Sequence, residues 1–313
     1  VSLPIKAAGW PCVAAGLGVA ALLIPAQLYV IALALFGLPH VLCELAWVWK
    51  AWGKAVPKSS LIFLGLALLI QVLSRLAQWQ GRVDIDVAAL CDAVSLALAL
   101  MSMIALWPRV PLRRRPLLVL LALGMPALLV SVADTPAVLL ILAALAIAHN
   151  FTPVALAPQY LRLGPWPARK VLLALFAAPF LLFVALLLLE PPDFSPTSIT
   201  PPELSGLWAG SPRILTAAIP ALVWAQCLHY LSVIYLIPHA MPGGGAANLP
   251  RPMAWLACGL LSVYFLADFN EARRLYAVAA GLHAWLEWPL ILMIVVRPAV
   301  EQADYRVAEG SLP

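Results

Sequence analysis

The sequence predicts an all-α, polytopic transmembrane helical bundle of about ten helices, and three observations lead there. Of its 313 residues 64% are hydrophobic and only 11% charged, far from the balance of a water-soluble domain. Apolar runs of about 20 residues, the length that carries a helix across roughly 30 Å of hydrocarbon, recur along the chain. The basic residues cluster in every second connection between those runs.

The runs fall at about 7–24, 27–49, 60–80, 86–107, 117–133, 136–162, 171–189, 214–237, 253–268 and 275–296. Only Pro25 and Ala26 separate the first two, which are therefore a tight hairpin or one long broken helix. The first run leads almost directly into the second, so no cleaved export signal is expected, and Val1 is read as a start that has lost its initiator. Lys50, Lys54 and Lys58 follow the second run, RVPLRRRP (109–116) the fourth, Arg162, Arg169 and Lys170 the sixth, and Arg251 the eighth. The alternate connections at 133–136 and 190–212 carry no Lys or Arg, with Arg82, Arg273 and Arg274 as milder exceptions elsewhere. By the positive-inside rule both termini are cytoplasmic, in a bacterial-type inner membrane.

The Pro-rich stretch 190–212 is then an external loop, either a cap over the bundle or a plain connector. The tail 298–313 is polar and expected to fray. Residues 1–313 are read as a single integral-membrane domain without a soluble portion or a repeat. The five cysteines show no C-x-x-C spacing and lie in apolar runs, so no disulfide framework is expected. The net charge of +5 serves topology, which removes nucleic acid as a partner.

Four of the five histidines interrupt apolar runs: His40 in the second, His149 in the sixth, His229 in the eighth and His283 in the tenth. These four runs share one direction across the membrane, and the four positions fall at comparable depth. Ionisable groups at that depth are costly, face the protein interior and mark functional sites by default. Glu44 follows His40 by four residues and Glu287 follows His283 by four, so each pair shares a helix face. Such a carboxylate can ligate a metal or accept the proton of a ligating imidazole; alternatively it is a hydrogen-bonded link between helices. His239 lies ten residues beyond His229, about 15 Å along a continuous helix, and is placed around the site instead of in it. Asn150 and Gln226 are further polar neighbours, and Tyr230 is a proton donor or a wall.

Imidazole suits iron, zinc, copper and nickel, and four histidines with one or two carboxylates favour non-haem iron first and zinc second. GLPHVLCE (37–44) resembles the G-x-P-H-G-x-x-D segment of the bacterial Brp/Blh-type carotene oxygenases, and AIAHNFTP (146–153) is loosely similar to that family's second histidine segment. The resemblance implies a multi-pass membrane protein that holds iron with histidines and cleaves β-carotene, with His40 and His149 as ligands and Glu44 as the acidic partner. Val41 stands where the family has glycine, Glu44 where it has aspartate, and no closely spaced later histidine pair follows. The expected partners are molecular oxygen, membrane lipid and a lipophilic substrate such as a carotenoid, isoprenoid or acyl chain. The alternatives are a zinc-dependent intramembrane lipid hydrolase and a proton- or metal-ion-coupled transporter.

Overall fold

The computed structural model describes residues 9–52, 56–131, 135–155, 166–189, 212–237 and 252–296. Among them there is no strand. The helices are α1 (Gly9–Leu23), α2 (Pro25–Trp52), α3 (Lys58–Trp79), α4 (Ile85–Met101), α5 (Arg115–Val119), α6 (Met125–Ser131), α7 (Thr135–His149), α8 (Trp166–Leu188), α9 (Pro212–Leu231), α10 (Pro252–Ala267) and α11 (Phe269–Val296). The external loop and tail expected at 190–212 and 298–313 lie largely or wholly outside the described residues, as does His239.

Among the described residues, five stretches are long and apolar enough to cross a membrane: Pro25–Ala46, Lys58–Trp79, Ile85–Pro108, Arg213–Leu236 and Phe269–Leu292. They mark an integral membrane protein. The apolar helices Gly9–Leu23, Ala137–His149, Leu172–Leu188 and Pro252–Ala267 are shorter, so five spans of full length stand where about ten were expected. Proline and hydroxyl side chains set several of these lengths. Helical hydrogen bonding continues from Ile24 N–H to Ala20 O (2.8 Å) and from Leu28 N–H to Ile24 O (2.9 Å), so α1 and α2 are one helix interrupted at Pro25 and not a hairpin. α4 tightens into a 3-10 helix over Ser102–Arg109, where the Ser102 hydroxyl bonds back to Ala99 O at 2.6 Å.

The described helices form two compact units. The first comprises Val1–Trp49 and Ala143–Tyr276. Its core packs Ala21 and Ala32 against Ile219, Val223, Cys227 and Tyr230, and Ala14 against Leu172, Phe176 and Leu228, so α9 lies against both α1 and α8. The Trp224 indole donates to Ala14 O at 2.9 Å, and the Ser262 hydroxyl to Ala34 O at 2.6 Å, tying α9 to α1 and α10 to α2. Gly18 leaves room for that indole, since a Cβ built there would stand 2.8 Å from the Trp224 ring. Gly18→Ala is expected to lower stability by about 1–3 kcal/mol through overpacking and to change tryptophan emission, read by thermal unfolding of the detergent-solubilised protein.

The second unit comprises Lys50–Leu142 and Ala277–Pro313. α3 and α4 form an antiparallel hairpin closed by Gly81 in the left-handed conformation (φ 68°) and by the N-cap of Asp84, whose side chain accepts from Val87 N–H at 2.9 Å. Further along, Ser95 donates to Ala67 O (2.7 Å) and Ser60 to Ser102 O (2.8 Å). Hydroxyl-to-carbonyl links of this kind suit an environment in which water does not compete.

Candidate metal centre

Within the first unit, α2 brings His40, the end of α7 brings His149, and α9 brings His229. Each is held by its own helix in a particular way. Nδ1 of His40 lies 3.1 Å from Phe36 O, one turn back along α2. A carbonyl only accepts, so this nitrogen carries the proton and Nε2 keeps the lone pair a metal needs. His149 was expected about midway along a continuous span, yet it ends α7. Pro153 has no amide to offer the His149 carbonyl, and the Thr152 hydroxyl donates to that oxygen instead at 2.8 Å. The chain turns at Asn150, which closes a backbone bond to Ile147 O at 3.1 Å. After His229 the helix widens into a π-helical turn over Ser232–Leu236, a distortion frequent at functional sites.

The rings face one another. His229 lies 4.6 Å from His149 and 5.3 Å from His40, centroid to centroid, and Tyr230 stacks on His40 at 4.1 Å with 27° between the planes. Oε2 of Glu44 stands 3.8 Å from Nε2 of His229, and among the described residues neither Glu44 oxygen accepts a hydrogen bond. His229 is 0% and Glu44 1% exposed.

On α11, Nδ1 of His283 lies 3.3 Å from Ala279 O, the same arrangement as at His40. His283 belongs to one buried group with the other three, the ligand atoms of His40, His149, His229 and His283 all lying within 4.8 Å of one another. Nitrogens on a single ion at about 2.1 Å stand roughly 3–4 Å apart. A buried four-histidine group that can hold a metal ion is therefore present. Glu44 and Glu287 stand outside it; Glu287 is 2% exposed, one turn beyond His283. No family model, curated protein or solved structure matches this chain.

Two further side chains hold the surroundings of His40. The Gln226 amide donates to the Tyr230 hydroxyl at 2.6 Å, so Gln226 holds the tyrosine that stacks on His40. Tyr276, which was not singled out, reaches the same hydroxyl and is 7% exposed. Its signal was its position, since Tyr276, His283 and Glu287 follow one another at spacings of seven and four along one stripe of α11. Gly37 makes room for it, a Cβ there standing 3.2 Å from the Tyr276 ring. An apolar pocket of about 370 Å³ opens two residues past His149, lined by Phe151, Val154, Ala155, Leu173, Phe176 and Ala177.

Proposed function

We propose that this chain is a membrane enzyme that uses a histidine-held non-haem metal, iron in the first place, to oxidise a long apolar substrate with molecular oxygen. The observation that carries this reading is the burial of four imidazoles as one group in an integral membrane protein. Four nitrogen donors exceed the three protein ligands of a catalytic zinc site and suit iron. Bound there, iron would supply the redox chemistry that activates oxygen toward an apolar carbon chain.

The protein's own residues do the rest. His40 and His283 keep their protons on Nδ1, against Phe36 O and Ala279 O, so that Nε2 is the donor atom. Tyr230, pinned by Gln226, fixes the plane of His40 and walls the centre. The pocket beside His149 is apolar throughout, as a carotenoid, isoprenoid or acyl chain requires. The similarity of GLPHVLCE to carotene oxygenases points the same way. A multi-pass topology with the C-terminus on the cytoplasmic side of a bacterial-type inner membrane belongs to this proposal, with the shorter apolar helices Ala137–His149, Leu172–Leu188 and Pro252–Ala267 crossing as well. The alternation of basic connections supports that topology.

Elemental analysis of the purified protein, with oxygen uptake on adding β-carotene, retinoid and acyl-chain substrates, tests the reading. About one iron per chain and substrate-dependent oxygen uptake is the expected result. Zinc with turnover under argon would replace it with the hydrolase reading. Metal-dependent ion flux in proteoliposomes without product would replace it with the transporter reading.

A further inference from the structure

The second unit carries an open groove where the chain leaves the span Ile85–Pro108 and turns toward the next apolar run. Its volume is about 620 Å³, and Trp107, Leu112, Arg115, Pro116, Val119 and Leu120 line it. The local sequence shapes it. Val110 and Pro111 are extended, which ends the 3-10 turn Ser102–Arg109, and Pro116 then opens α5 in its first turn. Trp107 therefore comes from one side of the bend, and Val119 and Leu120 from the other. Every apolar side chain of the lining is exposed, at the end of a membrane span, where hydrocarbon gives way to headgroups.

One cation stands in this apolar lining, and its plane is fixed. The Arg115 guanidinium lies over the Trp107 ring, 5.0 Å from the centroid, and its Nε–H donates to Val110 O at 3.2 Å. Those contacts leave the Nη donors, whose forked geometry suits a phosphate. Among the described residues no carboxylate pairs with Arg115. Residues 93–133 contain no Asp or Glu, whereas Arg109, Arg113, Arg114 and Arg115 fall close together. Charge therefore selects an anion, and the apolar remainder of the groove selects a hydrocarbon attached to it. A molecule with a phosphate at one end and an acyl chain along the rest meets both demands. Tryptophan belongs at headgroup level, and a basic cluster there attracts anionic lipid.

We propose that this groove binds one anionic phospholipid, its phosphate on Arg115 and an acyl chain along Trp107, Val119 and Leu120. The site stands or falls without the histidine centre. The test uses the full chain in phosphatidylcholine nanodiscs doped with phosphatidylglycerol that carries a diazirine in its acyl chain, beside phosphatidylcholine with the same chain. Phosphatidylglycerol is expected to label residues 107–120 about fivefold more than phosphatidylcholine, the factor that one cation at a membrane surface contributes. Arg115→Ala should equalise the two probes, and Arg115→Lys, which keeps the charge and loses the fork, should lose most of the difference. Leu120→Trp fills the groove from an exposed position with every charge in place, and should lower labelling by phosphatidylglycerol. Equal labelling of the wild type by the two probes, a difference that persists in Arg115→Ala or Arg115→Lys, labelling unchanged in Leu120→Trp, or displacement of the lipid by inorganic phosphate alone overturns the proposal.

Discussion

His229→Ala is expected to strip the protein of bound metal, with affinity reduced by about 100-fold or more. Loss of a partner outside the ligand set typically costs 10–100-fold, and His229 is one of the four buried imidazoles that could hold the ion itself. Its ring lies 5.3 Å from that of His40 and 4.6 Å from that of His149, and Glu44 Oε2 stands 3.8 Å from its Nε2. Without it the first unit is left with two imidazoles and a carboxyl that faces a methyl group. Metal content after dialysis against a weak chelator, beside a circular dichroism spectrum that shows the helices intact, gives the reading. Retention of a full complement of metal by His229→Ala would remove His229 from the centre.

Glu44→Leu should change sign with the metal. In the metal-free protein a carboxyl with no hydrogen bond sits at 1% exposure, and replacing it by an apolar side chain of similar size removes that burden, raising stability by about 1–3 kcal/mol. In the metal-loaded protein the same carboxyl orients or ligates, so its loss should weaken metal binding by about 10–100-fold and lower the thermal midpoint relative to the loaded parent. Thermal unfolding with and without added metal, on parent and variant, separates the two arms. A variant less stable than the parent in both states would assign Glu44 to helix joining.

Much of this centre is legible in the sequence because membrane burial makes polar residues conspicuous. His40, His149, His229 and His283 stand out against apolar surroundings, and the buried pairs His40–Glu44 and His283–Glu287 need only the helical repeat. What eludes a linear reading depends on partners far apart in the chain or on exact helix ends. Asp92 finds its cation seventeen positions back at Arg75, and Gly18 is explained only by Trp224. Gln226 looked like a companion of His229 three residues on, yet one more residue carries its amide to Tyr230. Hydropathy gave His149 a continuous span because Pro153 is a single residue in an apolar run, whereas its missing amide ends the helix four residues earlier.

That interruption has a consequence for how the protein can be altered. The turn that leaves His149 at a helix end is also the turn that swings Phe151, Val154 and Ala155 into the wall of the apolar pocket. The position of the His149 ring and the width of the apolar pocket are thus set by one bend, with the Thr152 hydroxyl as its latch. Substitution at Thr152 or Pro153 that widens this pocket would move the imidazole at the same stroke, whereas Leu173 and Ala177, which line it from α8, can change its width without that coupling.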